Sequence, residues 1–89
     1  EDILKKFIAS NPDSFIAYNL LTDIYSKQHK KALMHTTNAE VLALLGAYPK
    51  AVDELQTGYN FVEKNPLLKK RIKSRILQLQ AQQEKLKRL

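Results

Sequence analysis

The histidine and serine side chains are the first residues to consider for chemistry, because the chain contains no cysteine. A zinc site needs three or four converging ligands, yet the two histidines, His29 and His35, lie six positions apart in a predicted turn and a predicted helix. We interpret His29 as a turn residue and His35 as a packed or interfacial ring. The four serines are interpreted as helix caps or solvated residues, and their spacing does not bring them to His35 as a base: Ser10, Ser14, Ser26 and Ser74. We therefore expect no metal, no cofactor and no enzymatic activity in this chain.

Positive charge is the second chemical feature, and it is concentrated towards the C-terminal end. Residues 64–89 contain nine basic residues and one acidic residue, a net of +8, which leaves −2 for residues 1–63 out of the total of +6. Such a cluster suits the phosphates of nucleic acids or an anionic membrane surface. The candidate basic surface consists of Lys69, Lys70, Arg71, Lys73 and Arg75.

The spacing of these cations favours a solvated or partner-facing surface over a nucleic-acid site. On a helix, Lys69 and Lys73 share one side while Arg71 and Arg75 share another. The charges would then flank an apolar stripe, Leu68-Ile72-Ile76-Leu79, instead of forming one ridge. No aromatic residue stands among them to stack on bases. Binding to nucleic acid or an anionic surface through this helix remains the alternative function.

Composition predicts that one small all-α domain positions these residues. The chain has 89 residues, 44% of them hydrophobic, with only two glycines and three prolines. A chain of this length buries only a thin core, and no apolar run approaches the ~18 residues needed to span a bilayer. Apolar residues recurring at steps of three and four predict five helices, which short turns should make antiparallel to their neighbours. Their predicted ranges are 2–10, 13–27, 31–45, 48–64 and 66–88.

A helical hairpin, residues 38–58, is the centre of this prediction. Small residues recur at helical spacing on both sides of the turn, at Ala39, Ala51 and Gly58, where two backbones can approach closely. Gly46 is placed to end the first helix in the left-handed conformation. Pro49 falls just inside the second helix, where its missing N–H is tolerated. This hairpin cannot bury its apolar face alone and needs neighbouring helices.

The helices start at intervals of 17 to 18 residues, so a helix pair recurs with the period of tetratricopeptide repeats, about 34 residues. The segment Tyr18-x-x-Leu21-Thr22-x-x-Tyr25 resembles the first helix of that repeat, and its two tyrosines are interpreted as packing residues. The third helix would close one repeat and open the next. The predicted fold is therefore a set of antiparallel helical hairpins stacked as a tetratricopeptide-like solenoid.

A more specific resemblance depends on several segments taken in order. They are Lys30-Lys31-Ala32-Leu33-Met34-His35, Ala39-Glu40, Leu44-x-Gly46-x-Tyr48-x-x-Ala51, Leu55-Gln56 and Arg71-Ile72-x-x-Arg75-Ile76-x-x-Leu79. This order resembles the C-terminal tetratricopeptide region of BepA-like periplasmic zinc metalloproteases, over roughly residues 11–80. The family's catalytic His-Glu-x-x-His motif is not in this sequence. The resemblance therefore implies a non-catalytic module that recruits substrates or partner proteins to a metalloprotease of the bacterial cell envelope.

The resemblance also implies a location, a partner and a binding surface. The location would be the periplasm, and the molecule bound would be a partner protein or an unfolded or misassembled protein substrate. Because the chain begins within a predicted helix, we expect it to be a fragment of a longer protein. Asn19, Asp23 and Lys27 recur at steps of four on the side that lines the concave groove in such repeats, and Thr37 and Glu40 would extend this surface. The alternative for these polar residues is an ordinary solvated face.

Overall fold

The computed structural model describes residues 1–88, and within this range it contains five α-helices and no β-strand. In chain order the helices are α1 (Asp2–Ser10), α2 (Phe15–Lys27), α3 (Lys31–Leu44), α4 (Tyr48–Asn60) and α5 (Pro66–Lys87). Each helix packs against the next one in the chain, across connections of three to five residues. The predicted all-α stack of helical hairpins is therefore confirmed. None of the helices in residues 1–88 is long and apolar enough to cross a membrane.

The core lies between α3, α4 and α5. Ala39 and Ala51 are completely buried, and the small size of both side chains lets α3 and α4 approach closely. Leu55 is the largest fully buried side chain. From α5, Ile72 and Leu79 pack onto the same cluster, and the partly buried Leu68 and Ile76 cover it. The apolar stripe predicted for the last helix is therefore its buried face, whereas α1 contributes no buried residue.

Two predicted helix limits are wrong by more than one residue, and side-chain caps explain the first. The second helix was predicted to begin at residue 13, but α2 begins at Phe15. Ser14 has an extended backbone, and its hydroxyl accepts a hydrogen bond from the backbone N–H of Ala17 at 3.3 Å. Such a bond satisfies one of the free donors at a helix start. Asp13 therefore lies in the preceding turn.

The fourth helix was predicted to continue to residue 64, but α4 ends at Asn60. Val62 is buried in the core cluster, and Lys64 has a left-handed backbone with φ of 48°. Asn65 caps α5, its side-chain oxygen accepting from the backbone N–H of Leu68 at 3.1 Å. A residue before proline is also disfavoured in a helix. Because Lys64 and Asn65 take the non-helical conformations that the start of α5 needs, α4 cannot continue to residue 64.

Gly46 ends α3 in the left-handed conformation that its position predicts, with φ of 78°. The backbone N–H of Gly46 donates to the Ala43 carbonyl at 3.0 Å, and that of Ala47 donates to the Leu42 carbonyl at 2.9 Å. This pair of hydrogen bonds is the Schellman motif, in which glycine avoids the clash that a Cβ atom would suffer. The turn assignment within the α3–α4 hairpin is confirmed.

Replacing Gly46 with valine is expected to lower the free energy of unfolding by about 1 to 3 kcal/mol. Apart from Gly46 and its two chain neighbours, no atom lies within 4 Å of the position that a Cβ atom would occupy, so the loss comes mainly from backbone strain. Thermal unfolding monitored by circular dichroism measures it. Gly46→Asn is the matched control, because asparagine tolerates this conformation better. Equal melting temperatures for wild type and Gly46→Val would contradict the strain argument.

Candidate functional site

A polar groove lies where α2, α3 and α5 meet. Tyr18 of α2, Glu40 of α3 and Arg75 of α5 all line one open cavity of about 400 Å³. Helices α2 and α3 are consecutive in the chain, but α5 is separated from them by α4. The groove therefore forms only when the whole domain folds. Its remaining lining residues are Pro12, Asp13, Ala43, Leu44, Tyr48, Gln78, Leu79 and Gln82. We call this cavity the α2–α3–α5 groove.

A two-pronged ion pair crosses the groove. Arg75 Nε donates to Glu40 Oε2 at 2.9 Å, and Arg75 Nη2 donates to Glu40 Oε1 at 2.7 Å. Arg75 Nη1 also donates to Gln78 Oε1 at 3.1 Å. Only 24% of the Glu40 side chain is exposed, and 36% of the Arg75 side chain. Such bidentate pairing fixes orientation as well as charge, so this pair links α3 to α5 in a defined geometry.

The ion pair and Tyr18 influence one another electrostatically. The hydrogen bonds to Glu40 raise the pKa of Arg75 above its ordinary value, against the opposing effect of partial burial. Burial raises the pKa of the Tyr18 phenol, the negative charge of Glu40 raises it further, and Arg75 opposes this. At neutral pH the phenol therefore keeps its proton and can donate a hydrogen bond to a bound group.

A second, smaller cavity of about 230 Å³ adjoins the groove. Tyr18, Glu40 and Arg75 line both cavities, so the ion pair forms the boundary between them. The residues that line only the second cavity are Thr36, Thr37, Leu55, Leu68, Arg71 and Ile72. The predicted surface residues Thr37 and Glu40 thus contribute to this region, although not as a freely exposed face.

Thr37 differs from the expectation that it extends an exposed surface. It is buried, with 8% of its area exposed, because it faces the α3–α4–α5 side and not solvent. Asn19, Asp23 and Lys27 are exposed, but none of them lines either cavity. The buried stripe of α2 that faces α3 is Ala17, Leu21 and Tyr25, and the predicted polar stripe points away from it. Asp23 and Lys27 pair with each other at 3.3 Å.

Four of the five residues of the candidate basic surface divide between the two flanks of α5. Arg71 and Arg75 line the smaller cavity on one flank. On the other flank, Lys69 Nζ and Lys73 Nζ each lie 5.4 Å from the centroid of the Tyr59 ring. Lys70 is exposed, on the part of α5 between the two flanks. The prediction that the charges flank the apolar stripe is confirmed, and only one of the five, Arg75, pairs with a carboxylate in residues 1–88.

Sequence reasoning missed Tyr18 and Gln78 as groove residues. Tyr18 was predicted to pack like Tyr25, but Tyr25 is buried whereas Tyr18 is only partly so and faces the groove. Helical spacing within α2 cannot reveal this, because the groove depends on where α5 lies. Gln78, one turn after Arg75, could have been noticed only once the role of Arg75 was known.

The two histidines have the positions expected of a turn residue and a packed ring. His29 lies in the turn after α2 with a left-handed φ of 57°. His35 Nδ1 lies 2.7 Å from Glu54 Oε2, and the ring stacks on Phe61 with the ring centroids 5.5 Å apart. In the part of the chain that the structure describes, no three His, Asp or Glu side chains are grouped to hold a metal ion.

Comparison with known proteins does not assign the chain to a family. No protein-family model matches the sequence, and no curated protein matches it. A function for the chain must therefore be argued from its own residues, above all from the geometry of the α2–α3–α5 groove and of the two flanks of α5.

Proposed function

We propose that this chain is a non-catalytic, protein-binding module that holds a segment of a partner protein in the α2–α3–α5 groove. The observation that carries the proposal is the convergence of hydrogen-bonding side chains from four helices, α2 to α5, on one open cavity. A concave surface with a few polar groups that fix orientation is typical of binding sites. An unfolded or misassembled protein is the partner class that we favour.

The chemistry of the groove suits the main chain of an extended segment. Gln78 and Gln82 lie one helical turn apart on α5, and each side-chain amide offers both a donor and an acceptor. Tyr18 and Tyr48 add hydroxyl groups. Because Glu40 already balances the charge of Arg75, a neutral peptide segment meets no unpaired guanidinium there. These groups match the alternating N–H and C=O groups of a peptide, whatever its side chains.

The resemblance to BepA-like metalloproteases supports a narrower version of the proposal. In that version the module recruits substrates or partner assemblies to a zinc metalloprotease in the bacterial periplasm. The full-length reading frame tests it directly. A secretory signal segment and an upstream His-Glu-x-x-His motif are the expected findings, and a reading frame lacking both would contradict this version while leaving the binding proposal intact.

Fluorescence anisotropy with a permanently unfolded probe tests the binding proposal. The probe is a fluorophore-labelled peptide of glycine, serine, asparagine and valine, which has no charged side chain and stays unfolded. We expect Gln78→Ala/Gln82→Ala to weaken binding about tenfold, since two hydrogen bonds contribute roughly 0.5 to 1.5 kcal/mol each. The melting temperature should stay close to that of wild type, because both glutamines are exposed and the one hydrogen bond lost, from Arg75 Nη1 to Gln78 Oε1, is exposed as well.

Two control variants make this experiment decisive. Gln80→Ala removes an exposed glutamine of α5 that does not line the groove, and it should bind like wild type. Asn19→Ala/Asp23→Ala tests the polar stripe that the sequence suggested. Loss of binding in that pair, with none in Gln78→Ala/Gln82→Ala, would move the binding surface from the groove to α2. Absence of binding by the wild-type chain would overturn the proposal for unfolded partners.

A further inference from the structure

The flank of α5 that faces away from the groove holds two lysines against one aromatic ring. Lys69 and Lys73 lie one helical turn apart, and both ammonium groups are 5.4 Å from the centroid of Tyr59 on α4. A cation over an aromatic ring is attracted by the ring's quadrupole. Because both groups share one ring, their nitrogen atoms cannot be further apart than twice that distance. The two ammonium groups therefore lie at most 10.8 Å apart, beside the same ring.

These two lysines, like most cations in the described part of the chain, have no carboxylate partner. Within residues 1–88, no carboxylate lies within ion-pair distance of Lys69 or Lys73, whereas Arg75 pairs with Glu40 and Lys87 approaches Glu84 at 4.0 Å. Like charges held together repel each other unless an anion balances them. The structure thus leaves a concentrated and unbalanced positive charge on this flank.

Amide side chains complete the surface. A cavity of about 400 Å³ beside the lysines is lined by Gln56, Tyr59, Asn60, Lys73 and Ile76. Gln56 and Asn60 lie one turn apart on α4, as the two lysines do on α5, so donors from both helices border the same space. Ammonium and amide donors are the groups that pair with carboxylates. We call this set, with Lys69, the α4–α5 cationic surface.

We propose that the α4–α5 cationic surface binds an acidic segment of a partner protein, one with closely spaced Asp or Glu side chains. Charge complementarity is the reason for choosing this occupant. A nucleic acid fits less well, because the Tyr59 ring is engaged by the two ammonium groups and is not free to stack on a base. This surface is distinct from the α2–α3–α5 groove, with which it shares no residue.

Binding of a fluorophore-labelled hexaglutamate peptide at about 50 mM salt, where screening is modest, tests this inference. We expect Lys69→Gln/Lys73→Gln to weaken binding about tenfold. Lys85→Gln/Lys87→Gln removes the same charge from the last turns of α5 and should change binding less than threefold. Lys69→Arg/Lys73→Arg keeps both cations at the ring and should bind within twofold of wild type. Thermal unfolding of each variant shows whether it is folded.

The outcomes separate a specific site from general attraction and from the groove. Equal weakening by the two glutamine pairs would overturn the proposal, because it would mean that only net charge matters. Tighter binding of a labelled oligothymidine than of hexaglutamate would overturn the choice of a protein partner. Gln78→Ala/Gln82→Ala should leave hexaglutamate binding unchanged, so failure of the groove proposal and failure of this one give different results.

Discussion

Replacing Gly58 with valine is expected to lower the free energy of unfolding by about 3 kcal/mol, at the upper end of the range for overpacking a core. For a domain of this size, that corresponds to a fall in melting temperature of about 12 to 24 °C. The reason is the close approach of α3 and α4. A Cβ atom added at Gly58 would lie 3.2 Å from three atoms of α3: the Ala32 carbonyl oxygen, His35 Cβ and Thr36 Cγ2.

Whether valine at Gly58 raises or lowers the free energy of unfolding depends on whether these three atoms can move. The Ala32 oxygen belongs to the backbone and His35 Cβ is fixed to it, so neither can move without shifting α3 as a whole. Valine would add two further methyl groups in this space, and its χ1 angle has few alternatives in a helix. The small gain in helix propensity over glycine, about 0.4 kcal/mol, cannot compensate.

Chemical and thermal unfolding of three variants would measure this effect. Gly58→Ala adds the Cβ atom alone and should lose less stability, because it needs α3 and α4 to shift apart by only a few tenths of an ångström and its better helix propensity offsets part of that cost. Gln56→Val places the same branched residue at an exposed position of α4 and should change the free energy of unfolding by less than about 1 kcal/mol. A Gly58→Val protein as stable as Gln56→Val would refute the close approach.

The α3–α4 hairpin could be predicted from sequence because its determinants are local. Gly46 sits directly after an apolar periodic segment, and Pro49 begins the next one, so the turn depends on residues within a few positions. The small residues Ala39, Ala51 and Gly58 recur at helical spacing, and the structure buries all three. Local periodicity thus identified both the helices and the faces on which they meet.

The α2–α3–α5 groove could not be predicted in the same way, because it depends on contacts between distant segments. Glu40 and Arg75 are 35 positions apart, and their pairing requires α5 to return alongside α3. From sequence, Glu40 was assigned to the candidate protein-binding surface and Arg75 to the candidate basic surface. The burial of Thr37 could not be predicted for the same reason, since α5 also helps to enclose the cavity that it faces. Helical spacing gives the direction of a side chain but not its neighbour.

Replacing Leu55 with alanine is expected to lower the free energy of unfolding by about 3 kcal/mol, within the range of about 2 to 5 kcal/mol for such core truncations. Leu55 is 2% exposed and packs in the cluster that joins α3, α4 and α5. Its side chain also lines the smaller cavity beside Arg71 and Arg75. The shortened side chain would therefore enlarge an existing space, which the surrounding helices cannot close without losing other contacts.

Leu77→Ala is the matched control, because it removes the same atoms from an exposed position. Leu77 is 67% exposed on α5, so its truncation should change the free energy of unfolding by less than about 0.5 kcal/mol. Urea titrations of both variants would give the difference, provided that the transitions remain two-state. If Leu55→Ala and Leu77→Ala were equally stable, Leu55 could not be the residue that joins the three helices. The expected gap between them would instead place the stability of the groove in the α3–α4–α5 core, since Glu40 and Arg75 can meet only while that core holds α3 and α5 together.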